Sequence, residues 1–409
     1  MSSPTSLARP TPGDEAQRPR RRFFWGGSWL VTIFAVLSAL VVGAVLIVIG
    51  DEQSRAAAGY FFSYPWDFFS NAWYSVRDAY LALLQGAVYN PNFSGIQALS
   101  PISETLVNAT PLILTGLAVA LSFRVGLFNI GAQGQIILGA IFAAWVGFSV
   151  DLPVVLHLIA ALVAGVAGGL LWGGIVGLLK ARTGAHEVIT TIMLNYVAVN
   201  LLTFLLGVHG FQRPPYGQAI SSEVASSAQL PPLLGSSLRV HLGLVLAVLA
   251  AVGVWWLFER SRLGFRLRAV GANPNAARTA GMGVGRLQVS AMALAGGLAG
   301  LAGASQVLGV THSVTGSVAG NIGFDAITVA LLGRNNPYGV IAAGLLFGGM
   351  RAGSVQMQSS TGVPVDLVGV LQALIVLFIA APALVRAVFR LRAGGGAAVG
   401  SELAGGWTR

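Results

Sequence analysis

Runs free of charged side chains recur along the chain, at 23–50, 105–123, 125–150, 152–179, 188–212, 240–258, 287–324 and 367–385. The hydrocarbon layer of a bilayer takes about 20 apolar residues per helix. The 287–324 run, with 325–350 after it, is long enough for more than one crossing. The pattern predicts about ten helical spans, near 29–50, 102–123, 134–150, 153–179, 186–207, 241–258, 288–310, 322–333, 337–350 and 366–385.

Composition agrees. Of 409 residues, 55% are hydrophobic and only 9% charged, against about 25% charged in a soluble domain, and the mean hydropathy is +0.74. So few charges cannot cover a soluble fold, and disorder needs low hydrophobicity and high charge. The expected fold class is an all-α polytopic membrane protein. There is no cysteine, which excludes disulfides, thiol catalysis and Cys-based metal centres. Lys180 is the single lysine and Gly-x4-Gly-Lys-[Ser/Thr] is absent, so the chain carries no P-loop of its own.

The charge is lopsided, with 24 Lys+Arg against 14 Asp+Glu and a net charge of +10. With the N-terminus inside and ten spans, 19 of the 24 basic residues fall on the inner side. Arg55, Arg77, Arg213, Arg239 and Arg351 fall outside. The opposite orientation inverts that ratio, so both termini are placed in the cytoplasm. The surplus then marks orientation, not nucleic-acid binding. The chain divides into a disordered cytoplasmic tail (1–28), a transmembrane domain (29–392) with its longest inner loop at 259–287, and a second disordered tail (393–409). The first apolar segment, with a core of about 20 residues against the 7–15 of a signal peptide, reads as an uncleaved anchor. Aromatic density over 51–100, including Trp66, Trp73 and Tyr80, predicts an interfacial belt or amphipathic helix on the outer face.

Asn129-Ile130-Gly131 and Asn321-Ile322-Gly323 each precede a short span, and those spans run in opposite directions. This fits an inverted repeat of spans two to five against seven to ten.

Four segments carry candidate chemistry. Phe123 to Gln135 holds three glycines in nine residues between two apolar runs. Backbone freed from helix at membrane depth must line a cavity or be buried in protein. Phe128, Asn129, Gln133 and Gln135 are therefore expected to line or support a solute pathway, or else to cap helices at a cytoplasmic turn. In Gly184 to Tyr196, the position needed for a second His after His186-Glu187 is Thr190, which removes a zinc helix. Glu187 suits a helix first turn, as does Glu104. Asn195 and Asn200 lie in an apolar span, where amides either join helices or face solute. In the inner loop Ser261 to Met282, Asn273 is a good N-cap, Pro274 suits the first helical position and Gly281 suits a C-terminal stop. A short capped helix in that loop exceeds what orientation requires and predicts docking of a cytoplasmic partner. In Gly323 to Gly339, Asp325 is a carboxylate at membrane depth, and it either serves the pathway beside Phe324 or caps the helix that follows.

At these four segments the chain resembles the permease subunits of bacterial ABC importers for simple sugars, nucleosides and branched-chain amino acids. The resemblance runs from about residue 100 to 385. The wording GLFNIGAQGQ, GAHEVITTIMLNY, RAVGANPNAARTAGM and GFDAITVALLG is most similar to the nucleoside branch. The acidic Asp-Leu-Ser-type motif of the ribose-type branch is missing. The resemblance implies a pathway subunit that is not itself an enzyme. It would sit in a bacterial inner or plasma membrane and work by alternating access. Its partners would be a second, homologous permease, a cytoplasmic ATP-binding subunit that binds ATP–Mg, and an extracytoplasmic solute-binding lipoprotein. This chain would hold no cofactor, no metal and no catalytic residue. The pathway residues would be Phe128, Asn129, Gln133, Gln135, Asn195, Phe324 and Asp325. The ATPase would dock at Gly271, Asn273, Pro274, Ala276, Ala277 and Gly281. Two alternatives stay open: a pentose or hexose as solute, and an ion-coupled secondary transporter using Asp325 or Glu187.

Overall fold

The computed structural model describes residues 28–235 and 238–381; both predicted tails and their arginines lie outside the described residues. In chain order the helices are α1 (Ser28–Gly50), α2 (Glu52–Ala58), α3 (Pro65–Ala87), α4 (Ser100–Arg124), α5 (Ala132–Ser149), α6 (Val154–Thr183), α7 (Glu187–Leu205), α8 (Gly243–Arg260), α9 (Arg262–Ala272), α10 (Pro274–Thr279), α11 (Val284–Gln306), α12 (Ile322–Leu332), α13 (Pro337–Thr361) and α14 (Val365–Ala380). Each of the ten predicted spans coincides with one of them. Among the described residues, eight helices are long and apolar enough to cross a membrane, while α12 and α14 are shorter apolar helices.

Two antiparallel helix pairs build the centre. α6 packs on α11, and α13 packs on α4. Small residues set both distances. Gly165, Gly169, Gly173 and Gly177 on α6 face Ala304, Gly300, Gly296 and Met292 on α11, and a Cβ at Gly169 would meet the Gly296 carbonyl oxygen. On the other pair, Gly344 faces Ile113 and Gly348 faces Ala109. Lipid tails are as apolar as leucine, so helices in a bilayer associate through close packing, which small residues permit. α5 packs on α6 and α11, just as α12 packs on α13 and α4; α4 also touches α11, and α5 touches α12. Each contact maps onto its counterpart when α4–α7 are exchanged with α11–α14, as an inverted repeat requires.

Several of the cations expected on the inner side lie near one another in the structure. Arg124 and Arg268 both reach Glu259, at 3.8 and 3.6 Å. The Arg124 Nε donates to the Asn335 carbonyl at 2.8 Å, beside Arg334. Lys180 pairs with Glu187 at 2.5 Å, and Gly285 lies against Ala181. The inner-side cations therefore collect at one end of the bundle. Arg351 is different. The predicted span ended at residue 350 because an arginine followed, yet α13 continues to Thr361. Arg351 lies inside that helix, not in an outer loop.

The aromatic segment 51–100 forms two helices. α3 is more than a surface helix: its second half packs against α13 and α1. Gly86 lies against Gly353 and Gln356, and the Tyr80 hydroxyl donates to the Leu40 carbonyl at 2.5 Å. Its first half keeps Trp66, Phe69 and Trp73 exposed, consistent with an interfacial position.

At the opposite end, the connection between α7 and α8 forms a fitted cap. Phe211 is buried against Trp145 and Phe148. The cap's backbone pairs with Val314, His312, Leu308 and Gly147. Arg239 meets Glu104 at 3.2 Å. His241 lies just ahead of α8, buried against Gly309, and its Nδ1 accepts from the Gly243 amide at 3.1 Å. Burial, with His312 and Arg239 nearby, pushes its pKa from 6.5 down to about 4. The folded protein therefore holds this ring neutral, while the unfolded chain binds a proton below 6.5. Its contribution to stability is complete above pH 6.5 and is lost as the pH falls toward 4, about 3 kcal/mol in all. Thermal unfolding of the purified protein at pH 7 and pH 4.5 is expected to show a drop that His241→Gln largely removes.

Candidate pathway site and docking segment

The site begins where α4 ends. Val125 and Leu127 donate to the Ser122 carbonyl, Gly126 adopts a left-handed φ of +73°, and the chain stays out of helix until Ala132. The opening of α5 leaves amide groups without helical partners, and side chains supply them. Asn129 and Gln135, both fully buried, form a reciprocal amide pair at 3.1 and 3.2 Å. The Asn129 Oδ1 also accepts from the Gly131 amide at 3.0 Å. From α7, the Asn195 Oδ1 accepts from the Gly134 amide and its Nδ2 donates to the Ile130 carbonyl, both at 2.9 Å. Gln133 reaches across to α12: its Oε1 accepts from the Gly323 amide at 2.9 Å, and its Nε2 donates to the Gly320 carbonyl at 2.5 Å.

The two Asn-Ile-Gly segments thus meet. Each starts a helix, and Gly323 lies so close to Gln133 that a Cβ there would sit about 2.5 Å from the Gln133 Cα. The structure brings Asn129, Gln133, Gln135 and Asn195 into one buried cluster in which every amide is already bonded within the protein. Phe128 and Phe324 stand differently. They are 46% and 47% exposed, with Phe128 against Phe123 at 5.3 Å between centroids. Asp325 follows Phe324 in the first turn of α12, and its carboxylate lies 4.0 Å from the Arg351 guanidinium. The sequence places Arg351 in an outer loop next to a predicted span and so gives it no part in the pathway; its position beside that span is the signal that could have found it.

The opposite face of α7 is exposed. Its buried stripe is Glu187, Thr191, Asn195, Ala198 and Leu202, while Tyr196, Asn200 and Thr203 point away from the bundle.

The inner loop folds as α9 and α10. Ser261 caps α9, accepting from the Gly264 amide at 2.9 Å. Asn273 caps α10, its Oδ1 accepting from the Asn275 and Ala276 amides at 3.0 Å. Gly281, with a φ of +77°, ends the segment. Asn273, Pro274, Ala276 and Gly281 are exposed, whereas Ala277 is buried and Gly271 lies against the protein body. A Cβ at Gly271 would meet the Arg124 carbonyl oxygen, and Gly126 packs on Gly271 in return. The end of α9 thus rests directly on the turn that opens into the amide cluster. A cleft of about 450 Å³ beside it is lined by Arg124, Trp255, Glu259, Arg260, Asn336 and Tyr338.

Comparison with known proteins agrees with this architecture. Residues 102–380 match the family described as branched-chain amino acid transport system / permease component. The chain is 38% identical over 362 residues to the guanosine ABC transporter permease protein NupP of Bacillus subtilis, covering 88% of this chain and 95% of that protein. It is 38% identical over 293 residues to the glucose ABC transporter permease protein TsgB13 of Haloferax volcanii, covering 68% and 75%. It is 37% identical over 297 residues to the nucleoside ABC transporter permease protein NupB of Lactococcus lactis, covering 70% and 81%. The chain belongs to this permease family and is a multi-pass membrane permease of an ABC transporter.

Proposed function

We propose that this chain is one of two permease subunits of an ATP-driven importer that moves a nucleoside across the inner or plasma membrane of a bacterium. The observation that carries the reading is the backbone contact between Gly271 and the Arg124–Gly126 turn. It joins an exposed inner segment directly to the place where two helix N-termini meet at membrane depth. In this reading α9 and α10 receive a cytoplasmic subunit that binds ATP–Mg and hydrolyses ATP. Closure of that subunit pushes on Gly271, and the turn transmits the displacement through the amide cluster to α5, α7 and α12.

Solute meets Phe128, Phe324 and Asp325. A neutral, amphipathic nucleoside suits aromatic faces and a few polar groups, and stacking is worth about 1–3 kcal/mol per base. Asn129, Gln133, Gln135 and Asn195 serve the pathway by holding its broken backbone in place. Tyr196, Asn200 and Thr203 on the exposed face of α7 are unfavourable against lipid and fit a second permease chain. An extracytoplasmic lipoprotein delivers solute by favouring the outward-open state, since a ligand shifts such an equilibrium only through differential affinity. Asp325 and Glu187 leave the ion-coupled alternative with one carboxylate beside Arg351 and one paired to Lys180. A simple sugar is the second reading, favoured by the glucose permease among the relatives.

The absence of cysteine makes the docking side testable. Single cysteines at Asn275 and Pro215 are expected to react with a membrane-impermeant thiol reagent in intact cells only at 215. A cysteine at Asn275 should cross-link to the ATP-binding subunit. Labelling of 275 from outside, or normal uptake and normal ATPase binding after the Gly271–Gly281 segment is scrambled, would contradict the reading.

A further inference from the structure

The Asp325–Arg351 pair has features that a structural ion pair does not need. A bidentate Arg–carboxylate lock closes to about 2.7–2.9 Å, but this pair stands at 4.0 Å. Its side chains remain 32% and 39% exposed. Both groups sit within apolar helices. Counting about 1.5 Å per residue, Arg351 lies roughly 20 Å from the inner end of α13 and 15 Å from its outer end. Charges at such depth face water-filled space or protein rather than lipid. Phe324 adjoins the carboxylate with nearly half its surface open. Arg351 Nη2 also lies over Gly320, where a Cβ would come within 3.2 Å, and the Gly320 carbonyl is held by Gln133. The pair is therefore built onto the turn that joins α12 to the amide cluster. An acceptor-only group and a donor-only group stand side by side, one residue along the helix from an exposed aromatic side chain.

We infer that Asp325 and Arg351 recognise the edge of an oxopurine base, of guanine type. The inference rests on the nucleoside reading above and names its solute class. Guanine presents two adjacent N–H donors, N1–H and the 2-amino group, which a carboxylate can accept together. Its O6 is an acceptor beside them, within the reach of a guanidinium, the group that pairs with guanine O6 and N7 elsewhere. Phe324 supplies a face for stacking. Adenine reverses this edge, with a donor at position 6 and a bare acceptor at N1, so a base held in the same orientation meets the pair with both contacts mismatched. Hypoxanthine keeps N1–H and O6 and lacks only the amino group.

The test is uptake by cells carrying the complete transporter, with labelled guanosine, inosine, adenosine and glucose offered singly and in competition. The membrane level of the chain is measured alongside. Wild type is expected to prefer guanosine over inosine and inosine over adenosine. Asp325→Asn and Arg351→Gln should each reduce the guanosine-to-adenosine ratio by about five- to 150-fold, the range of one good bidentate contact. The exchanged pair, Asp325→Arg with Arg351→Asp, should restore membrane levels without restoring guanosine preference.

If wild type moves guanosine but the single variants lower all solutes equally, or the exchanged pair recovers full guanosine uptake, the pair is structural and the inference is overturned. Wild-type preference for adenosine over guanosine overturns it as well. If wild type moves only glucose, the nucleoside reading fails and this inference falls with it.

Discussion

Replacing Gln133 with leucine is expected to abolish uptake and to lower the thermal stability of the purified protein. Gln133 ties the start of α5 to the start of α12 by accepting from the Gly323 amide and donating to the Gly320 carbonyl. Leucine fills similar space and bonds neither group. A buried backbone group left without a partner costs about 1–3 kcal/mol, so losing both partners destabilises the junction by roughly 2–6 kcal/mol. Gln133→Glu keeps an acceptor for Gly323 and loses the donor to Gly320, and should fall between wild type and leucine. Paired measurement of melting temperature and uptake checks this. A side chain that served only to touch solute would, on replacement, weaken apparent affinity and leave the melting temperature unchanged. Asn195→Leu should behave like Gln133→Leu, because it leaves the Gly134 amide and the Ile130 carbonyl unpaired.

The second large effect is expected at Gly271. Its substitution by valine places a branched side chain against the Arg124 carbonyl and the Val125 backbone, the latter at 3.0 Å from the first added carbon. Backbone cannot rotate aside as a side chain can, so α9 must lift from the turn. Overpacking of this kind costs about 1–3 kcal/mol. Here it falls on the proposed link between docking and transport. The variant should retain the ATP-binding subunit and its ATPase activity, while uptake falls by about tenfold or more. Gly253→Ala on α8, where an added Cβ meets nothing within 4 Å, is the matched control and should transport normally. Loss of ATPase binding in Gly271→Val with uptake and hydrolysis falling together would indicate a docking defect, not an uncoupled one.

Much of the fold could be read from charge alone. Eight runs without Asp, Glu, Lys or Arg locate most of the ten spans, because the bilayer core excludes those groups. The same rule fails where a charge lies inside a helix. Asp67, Arg77 and Asp78 hid α3, which packs through small residues such as Gly86 and needs no long apolar run. The predicted span stops at 350, just before Arg351, whereas α13 continues eleven residues further, to Thr361. The caps of α10 were legible because Asn273 and its partners are neighbours in sequence. The amides of the pathway were legible as residues but not as contacts. Gln133 bonds to Gly320 and Gly323, and Asn195 to Ile130 and Gly134, across separations that only the folded chain closes. Their mutual hydrogen bonding belongs to the folded chain, and a single sequence carries no signal for it.

The central claim is that this permease carries a nucleoside and draws its energy from ATP through a partner bound to α9 and α10. The most direct measurement is uptake of labelled guanosine in cells with and without the chain, after the proton gradient is collapsed with ATP maintained and, separately, after ATP is depleted. The account predicts uptake that requires the chain, survives loss of the gradient, stops without ATP and is competed by unlabelled nucleoside but not by glucose. Uptake that follows the proton gradient and is indifferent to ATP would contradict it.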